Sequence, residues 1–352
     1  MTRSTEAAAP RISWVDAARA LGICAIVYSH AVYGEGPLAQ VCYAFHVPLF
    51  CFCAGFVFHG EDVPFAAFAG KRARTVLWPW LLFSLISIAL YAVGARSVMA
   101  VLGDVKDPSP VHALTEMLRG YCYANSPLWF LPCFFLQQLL LRLLTAIPLC
   151  RRHPAAFSAG AGAVFAGAAC AYLSFPHGQL PWAADTALIL LPFAFLGYGL
   201  RHSGRTLPGP ARLPAALALT AAGTGLSLAV NSKVNYWDNA YGNPLLFYLA
   251  AGLILLGLWA GLSAVSRWPA AVLRTGRESQ GILLMHKFPV LFFQAFVPFT
   301  VQPLRDQRFL PALAVTLVSA GLCVLVCALL RSWLPWALGE KRRRGGAASA
   351  SP

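Results

Sequence analysis

Apolar residues run through the chain in blocks of about twenty, separated by short polar and basic stretches. A hydrocarbon core ~30 Å thick takes about 20 apolar residues at 1.5 Å per helical residue. That length picks out ten candidate spans, near 17–34, 37–58, 75–94, 126–147, 155–174, 183–200, 212–230, 244–265, 279–300 and 309–332. In lipid each backbone N–H and C=O must be bonded within its own segment, so the blocks read as helices and the fold class as an all-α polytopic integral membrane protein. Several blocks carry Pro or Gly, among them Pro48 with Gly55, Pro192 with Gly197, and Pro289. Helix breaks at these sites predict a lined cavity.

Composition agrees with that pattern. Of the 352 residues 58% are hydrophobic and only 11% charged, whereas a soluble domain carries about 25% charged residues. The net charge of +14 is spread in short groups between spans, not along one face, which argues against nucleic acid and for a topological role. Only Arg96, Lys106, Arg119, Lys233, Arg305 and Arg308 fall in one set of loops, against nineteen Lys and Arg in the other. The positive-inside rule then places both termini in the cytoplasm. Three regions follow: a cytoplasmic N-terminal segment over 1–15, a transmembrane unit over 16–335, and a basic, disordered cytoplasmic tail over 336–352. The polar start of the chain is not a cleavable signal, so the first span is retained as an anchor.

Most of the ten cysteines fall inside predicted spans, where a thiol packs as a small apolar group. Cys51 and Cys53 point to different faces of one helix, and no histidine pair stands at ligand spacing on one span, so no metal site is expected. Between residues 95 and 125 lies the longest external connection, with Tyr121, Tyr123 and then Trp129. It reads either as a cap over a pocket or as an interfacial segment with aromatic anchors.

The first span opens with Ser13-Trp14-Val15-Asp16, a capping-box pattern that sets the helix start just before Arg19. Arg19 and His30 are eleven positions apart, which puts them about 20° apart in azimuth and ~16 Å apart in height on one helix face. An arginine inside a span costs at least about 2.5 kcal/mol without support, so Arg19 either pairs with Asp16 and snorkels to the headgroups or serves a function. Neutral imidazole accepts a proton from a hydroxyl, which makes His30 a candidate general base. His46 in the second span and His286 in the ninth lie at similar depth. They read as members of the same site or as struts bonding helix to helix.

The second span reads Phe45-His46-Val47-Pro48-Leu49-Phe50 and ends Ala54-Gly55-Phe56, followed by Lys71-Arg72-Ala73-Arg74 and Trp78-Pro79. Together with the Arg19 to His30 spacing, Leu128-Trp129-Phe130-Leu131, and Ser279 to His286, these segments resemble the acyltransferase family 3 membrane proteins. The resemblance runs from residue 13 to about 330. Two positions depart from the usual pattern: Ala54 stands where serine is common, and Lys71 where arginine is usual.

The resemblance implies an O-acetyltransferase of a bacterial inner membrane, with cytoplasmic acetyl-coenzyme A as donor substrate, no permanently bound cofactor, and a carbohydrate hydroxyl as acceptor. His30 and Arg19 would be catalytic, Lys71, Arg72 and Arg74 would bind the donor phosphates, and His46, His286 and Trp129 would line the acceptor pocket. The partners implied are membrane lipid, acyl-coenzyme A, the acceptor and polysaccharide assembly machinery. Competing readings are acylation of a small secondary metabolite, a transporter of lipid-linked sugar, and a scaffold without activity.

Overall fold

A computed structural model describes residues 11–95 and 109–341. The predicted tail beyond 341, the first ten residues, and most of the long connection, Arg96 and Lys106 included, lie outside the described residues.

Among the described residues the chain is helical, with no strand and a single antiparallel bridge between Asn235 and Ala240. The first four helices are α1 (Ser13–Ala31), α2 (Pro37–Phe56), α3 (Phe65–Arg72) and α4 (Trp78–Leu90). Next come α5 (Pro110–Leu118), α6 (Phe130–Thr145), α7 (Pro148–Arg152) and α8 (Pro154–Leu173). The long helices α9 (Ala184–His202), α10 (Gly209–Ala229) and α11 (Pro244–Ala264) follow. A set of short helices, α12 (Ala270–Arg277), α13 (Ser279–Met285), α14 (Lys287–Phe296) and α15 (Pro298–Arg305), leads to α16 (Phe309–Trp333).

Among the described residues seven stretches have the length and apolarity to cross a membrane: Pro37–Phe56, Phe65–Gly94, Pro110–Thr145, Pro154–Leu173, Pro181–His202, Pro244–Ala264 and Phe309–Trp333. This is a multi-pass membrane protein. The other three predicted spans are also helical but fall short for visible reasons. α1 carries Asp16 and Arg19, α10 is rich in Ala and Gly, and the ninth is split at His286 into α13 and α14.

α1 sits at the centre, packed against α2, α12, α14 and α16, while α9 packs between α2 and α8. α8 fully buries only Ser158 and Ala169; Phe157 and Phe165 pack half-buried on Phe195 of α9, and much of the remaining surface is exposed, as suits a helix bathed in lipid. Lipid tails are as apolar as leucine, so helices here associate through close packing rather than by escape from solvent. Gly55 and Gly197 show how. A Cβ on Gly55 would overlap the Ala194 carbonyl of α9, and one on Gly197 would overlap the Phe52 carbonyl of α2. Both helices run unbroken through these glycines and through Pro48 and Pro192. The predicted breaks are therefore absent at these two pairs; the small residues bring two backbones together instead.

The helix N-terminus also differs from expectation. Ser13 is the first helical residue, the N-cap is Ile12, and no side chain caps the helix. Asp16 cannot complete a capping box because its carboxylate is engaged elsewhere, as described next.

Candidate active site

Of the cavities that α1 lines, two stand at opposite ends of it. Near its start lies a cavity of about 1150 Å³ walled by Arg11, Asp16, Arg19, His59, Arg201, Arg277, Glu278, Arg331, Glu340 and Lys341, among others. Near its end lies one of about 490 Å³, walled by Ile26, His30, Tyr33, Tyr43, His46, Trp129, Tyr236, Trp237, Lys287 and Gln294, among others.

The first cavity is strongly basic, and its carboxylates set the geometry of its cations. Asp16 accepts a hydrogen bond from Arg277 Nε at 3.2 Å and stands 4.0 Å from Arg19, so the predicted Asp16 to Arg19 pair is shared with a second guanidinium. That approach needs Gly276, where a Cβ would overlap the Asp16 backbone carbonyl. Arg331 donates to Glu278 and, through Nε at 2.7 Å, to Glu340. The tail expected to be disordered from residue 336 is instead folded as far as 341: a turn over Pro335–Leu338 brings Glu340 there, held by Trp78 Nε1 donating to Trp336 O at 2.9 Å.

None of the three predicted donor-binding residues lines this cavity. Lys71 and Arg74 are exposed, and Arg74 lies in a π-helical turn, Ala73–Leu77, that joins α3 to α4. Arg72 covers the Phe68 ring at 5.2 Å and lies within electrostatic reach of Arg19. π-helical turns are rare and cluster at functional sites. Here the turn is fixed by Gln280 Nε2, which donates to Thr75 O at 2.7 Å.

In the second cavity the three predicted histidines come together. The end of α1 is tied down by Gln294 Nε2, which donates to His30 O at 2.8 Å and Ala31 O at 3.0 Å, carbonyls in the last turn, where intrahelical partners run out. His286 lies behind, fully buried, its ring 5.3 Å from that of His30. His286 Nδ1 donates to Ile282 O at 3.0 Å, while its Nε2 is buried without a hydrogen-bond partner among the described residues. His46 Nδ1 donates to Cys42 O at 2.5 Å. A carbonyl oxygen only accepts, so in the neutral form of each ring Nδ1 holds the proton and Nε2 keeps a lone pair. Both histidines are thus bonded within their own helices, not across helices, which removes the strut reading in its simple form.

Trp129 also lies where the sequence suggests, stacked on Tyr236 with centroids 6.0 Å apart. Tyr236 donates to Tyr43 O at 2.8 Å and meets the His46 ring edge-on at 5.9 Å. Asn125 positions the Trp129 turn by donating to Leu284 O at 2.9 Å, two residues before His286 in sequence.

No described residue lines both cavities, so Arg19 and His30, though on one helix face, do not share one chamber. The layer between them is apolar. Ile23 is fully buried, and a Cβ on Gly22 would stand 3.1 Å from the Phe50 ring and 3.3 Å from Leu49 Cδ2.

Sequence reasoning missed several lining residues. Arg11, Arg201, Arg277, Arg331 and Lys341 come from distant segments and look like ordinary positive-inside charge until folded. Tyr236 and Trp237 carried a signal in the aromatic and polar run Asn235-Tyr236-Trp237-Asp238-Asn239. Lys287, buried in the wall, is a second one.

An all-α membrane protein with buried histidines facing one cavity and a basic cavity at the other end of the same helix defines a class: an enzyme site within a helical bundle. A family model described as an acyltransferase domain, that of acyltransferase family 3, matches residues 12–332, and the chain belongs to this family. It is a membrane acyltransferase. No curated protein and no solved structure matches the chain.

Proposed function

We propose that the enzyme moves an acyl group, acetyl in the first instance, from cytoplasmic acyl-coenzyme A to a hydroxyl of a carbohydrate, a lipid-linked or cell-surface polysaccharide unit. On this reading the chain crosses the bacterial inner membrane ten times with both termini in the cytoplasm, beside the polysaccharide assembly machinery, and needs no permanent cofactor. The observation that carries the reading is that one helix, α1, presents Arg19 to a basic cavity and His30 to an aromatic one.

The donor's phosphates suit the basic cavity, where Arg11, Arg201, Arg277 and Lys341 offer charge-assisted and bidentate hydrogen bonds. Lys71, Arg72 and Arg74 flank it and add to the field. The pantetheine arm then runs along α1 past Arg19, and the thioester reaches the histidine cavity once the Phe50 ring moves off Gly22.

There the acceptor hydroxyl attacks the thioester carbonyl carbon while His30 takes its proton. The new C–O bond forms, the C–S bond breaks, and the coenzyme A thiolate recovers the proton from the imidazolium, which returns the site to its starting state. General-base assistance of this kind contributes about 10²- to 10⁴-fold. Lys287 in the same wall supplies positive charge where the carbonyl oxygen becomes negative. His46, His286 and Trp129 shape the acceptor side.

A variant route carries the acyl group on a histidine between donor and acceptor, because imidazole can act as a nucleophile. Radiolabel from acetyl-coenzyme A held on the protein without acceptor would assign it. The function itself is tested in a deletion strain by base-labile acetate released from surface polysaccharide. The wild-type gene should restore acetate and the His30→Ala variant, inserted at the same level, should not. Full restoration by His30→Ala would remove the mechanism.

A further inference from the structure

Beside the histidine cavity lies a second groove of about 230 Å³, lined by Glu116, Arg119, Tyr121, Tyr123, Gln179 and Trp237. Tyr123 and Trp237 belong to both, so the two spaces share a wall. Given the carbohydrate reading above, we propose that this groove is a second saccharide subsite, and that the acceptor is an oligosaccharide whose reacting sugar sits by His30 while the neighbouring unit lies here.

The chemistry of the wall fits a sugar better than a lipid or a flat aromatic product. Trp237 meets Tyr121 nearly edge-on at 5.2 Å and lies tilted to Tyr123 at 5.4 Å, while Tyr123 is stacked on His112 at 5.6 Å, so the Trp237 ring is not stacked flat on either tyrosine of the groove. Electron-rich ring faces accept the polarised C–H groups of a sugar ring, the same preference that sets aromatic edge-to-face pairs. Around them stand groups that bond hydroxyls. Arg119 Nη1 lies 3.1 Å from Glu116 Oε1, which holds a fork of donors beside a carboxylate acceptor, and the Gln179 amide provides one of each. A macrolide or other compact acceptor would fill the inner cavity and leave this polar groove without purpose.

The groove is also built rigidly from three distant segments. Trp182 N donates to Arg119 O at 2.6 Å, and Trp182 Nε1 donates to Leu118 O at 3.1 Å. On the other side the bridge between Asn235 and Ala240, with N to O distances of 2.7 and 2.9 Å, closes the turn that holds Trp237. Preorganised walls lower the ordering cost that a flexible saccharide imposes on binding.

The test uses the full-length protein in lipid nanodiscs with acetyl-coenzyme A, following thiol release. Acceptors are a panel of hexose and N-acetylhexosamine methyl glycosides with their di- and trisaccharides. Disaccharides should exceed their monosaccharides about tenfold in kcat/KM, close to the worth of one charge-assisted hydrogen bond. Gln179→Ala and Arg119→Ala, made separately, should each erase most of that advantage and spare the monosaccharide rate, which also certifies folding. Equal rates at all lengths, or variants that slow every acceptor alike, would overturn the subsite while the acceptor class stands. No transfer to any sugar would overturn the carbohydrate reading itself, and the subsite with it.

Discussion

The ring of His30 lies 5.3 Å from that of His286, inclined at 46°, with His286 anchored through Nδ1 to its own helix. One ring faces the cavity and the other backs it, so their effects on transfer should be coupled. His30→Ala should lose about 10²- to 10⁴-fold in kcat. His286→Phe keeps the ring but removes the buried Nε2, and should lower kcat with little change in donor KM. Residues in contact do not contribute additively. The double variant should be scarcely slower than His30→Ala alone, measured as radiolabelled acetyl transfer; fully multiplicative losses would place the two rings in independent roles.

At the other end of α1, the donor assignment predicts a binding defect without a chemical one. Arg11→Ala combined with Arg201→Ala should raise the KM for acetyl-coenzyme A about tenfold and leave kcat near wild type, since phosphate contacts are made equally in ground and transition states. Added salt should shrink the difference between variant and wild type, because exposed charges are screened. A donor without its 3′-phosphate should shrink it too. A pure kcat effect would move these arginines out of donor binding.

Helix packing gives a stability prediction. Gly55→Ala and Gly197→Ala each insert a methyl into a backbone carbonyl of the facing helix, so α2 and α9 must separate. Overpacking of this sort costs about 1–3 kcal/mol. The detergent-solubilised variants should lose several degrees of Tm, whereas Gly160→Ala on α8, where nothing lies nearby, should hold wild-type Tm.

Much of this architecture was legible in the pattern of apolar blocks, because lipid leaves helices as the only solution for so apolar a chain. Every predicted block contains a helix. Convergence of His30, His46 and His286 was legible too, since polar side chains at one depth in a bundle seek one another's company. What surrounds α1 was not. Helical spacing gives the azimuth of Arg19 relative to His30, but nothing in it tells that Phe50 and Leu49 fill the gap at Gly22. Positive-inside bias likewise hides which arginines meet in space, and so Arg201 and Arg277 look no different from Lys71 and Arg74. Ser13 with Asp16 imitates a capping box because the same acid that would cap a helix also suits a guanidinium, and Arg277 comes from the far end of the sequence.

The layer at Gly22 yields the sharpest test of the route between the cavities. A glycine inside a helix costs about 1 kcal/mol relative to alanine, so a fold that keeps one there gains something from its missing side chain. Phe50 uses that space at rest, and the acyl arm would use it in transit. Gly22→Val fills it with a branched side chain that the Phe50 ring cannot accommodate by a small shift. Acetyl-coenzyme A should still bind the basic cavity with near wild-type affinity in an equilibrium assay, while acetyl transfer falls at least tenfold. Phe50→Ala in the same background reopens the space from the other side and should return part of the rate. If Gly22→Val transfers acetyl at the wild-type rate, the donor reaches His30 by another path and the passage along α1 is wrong.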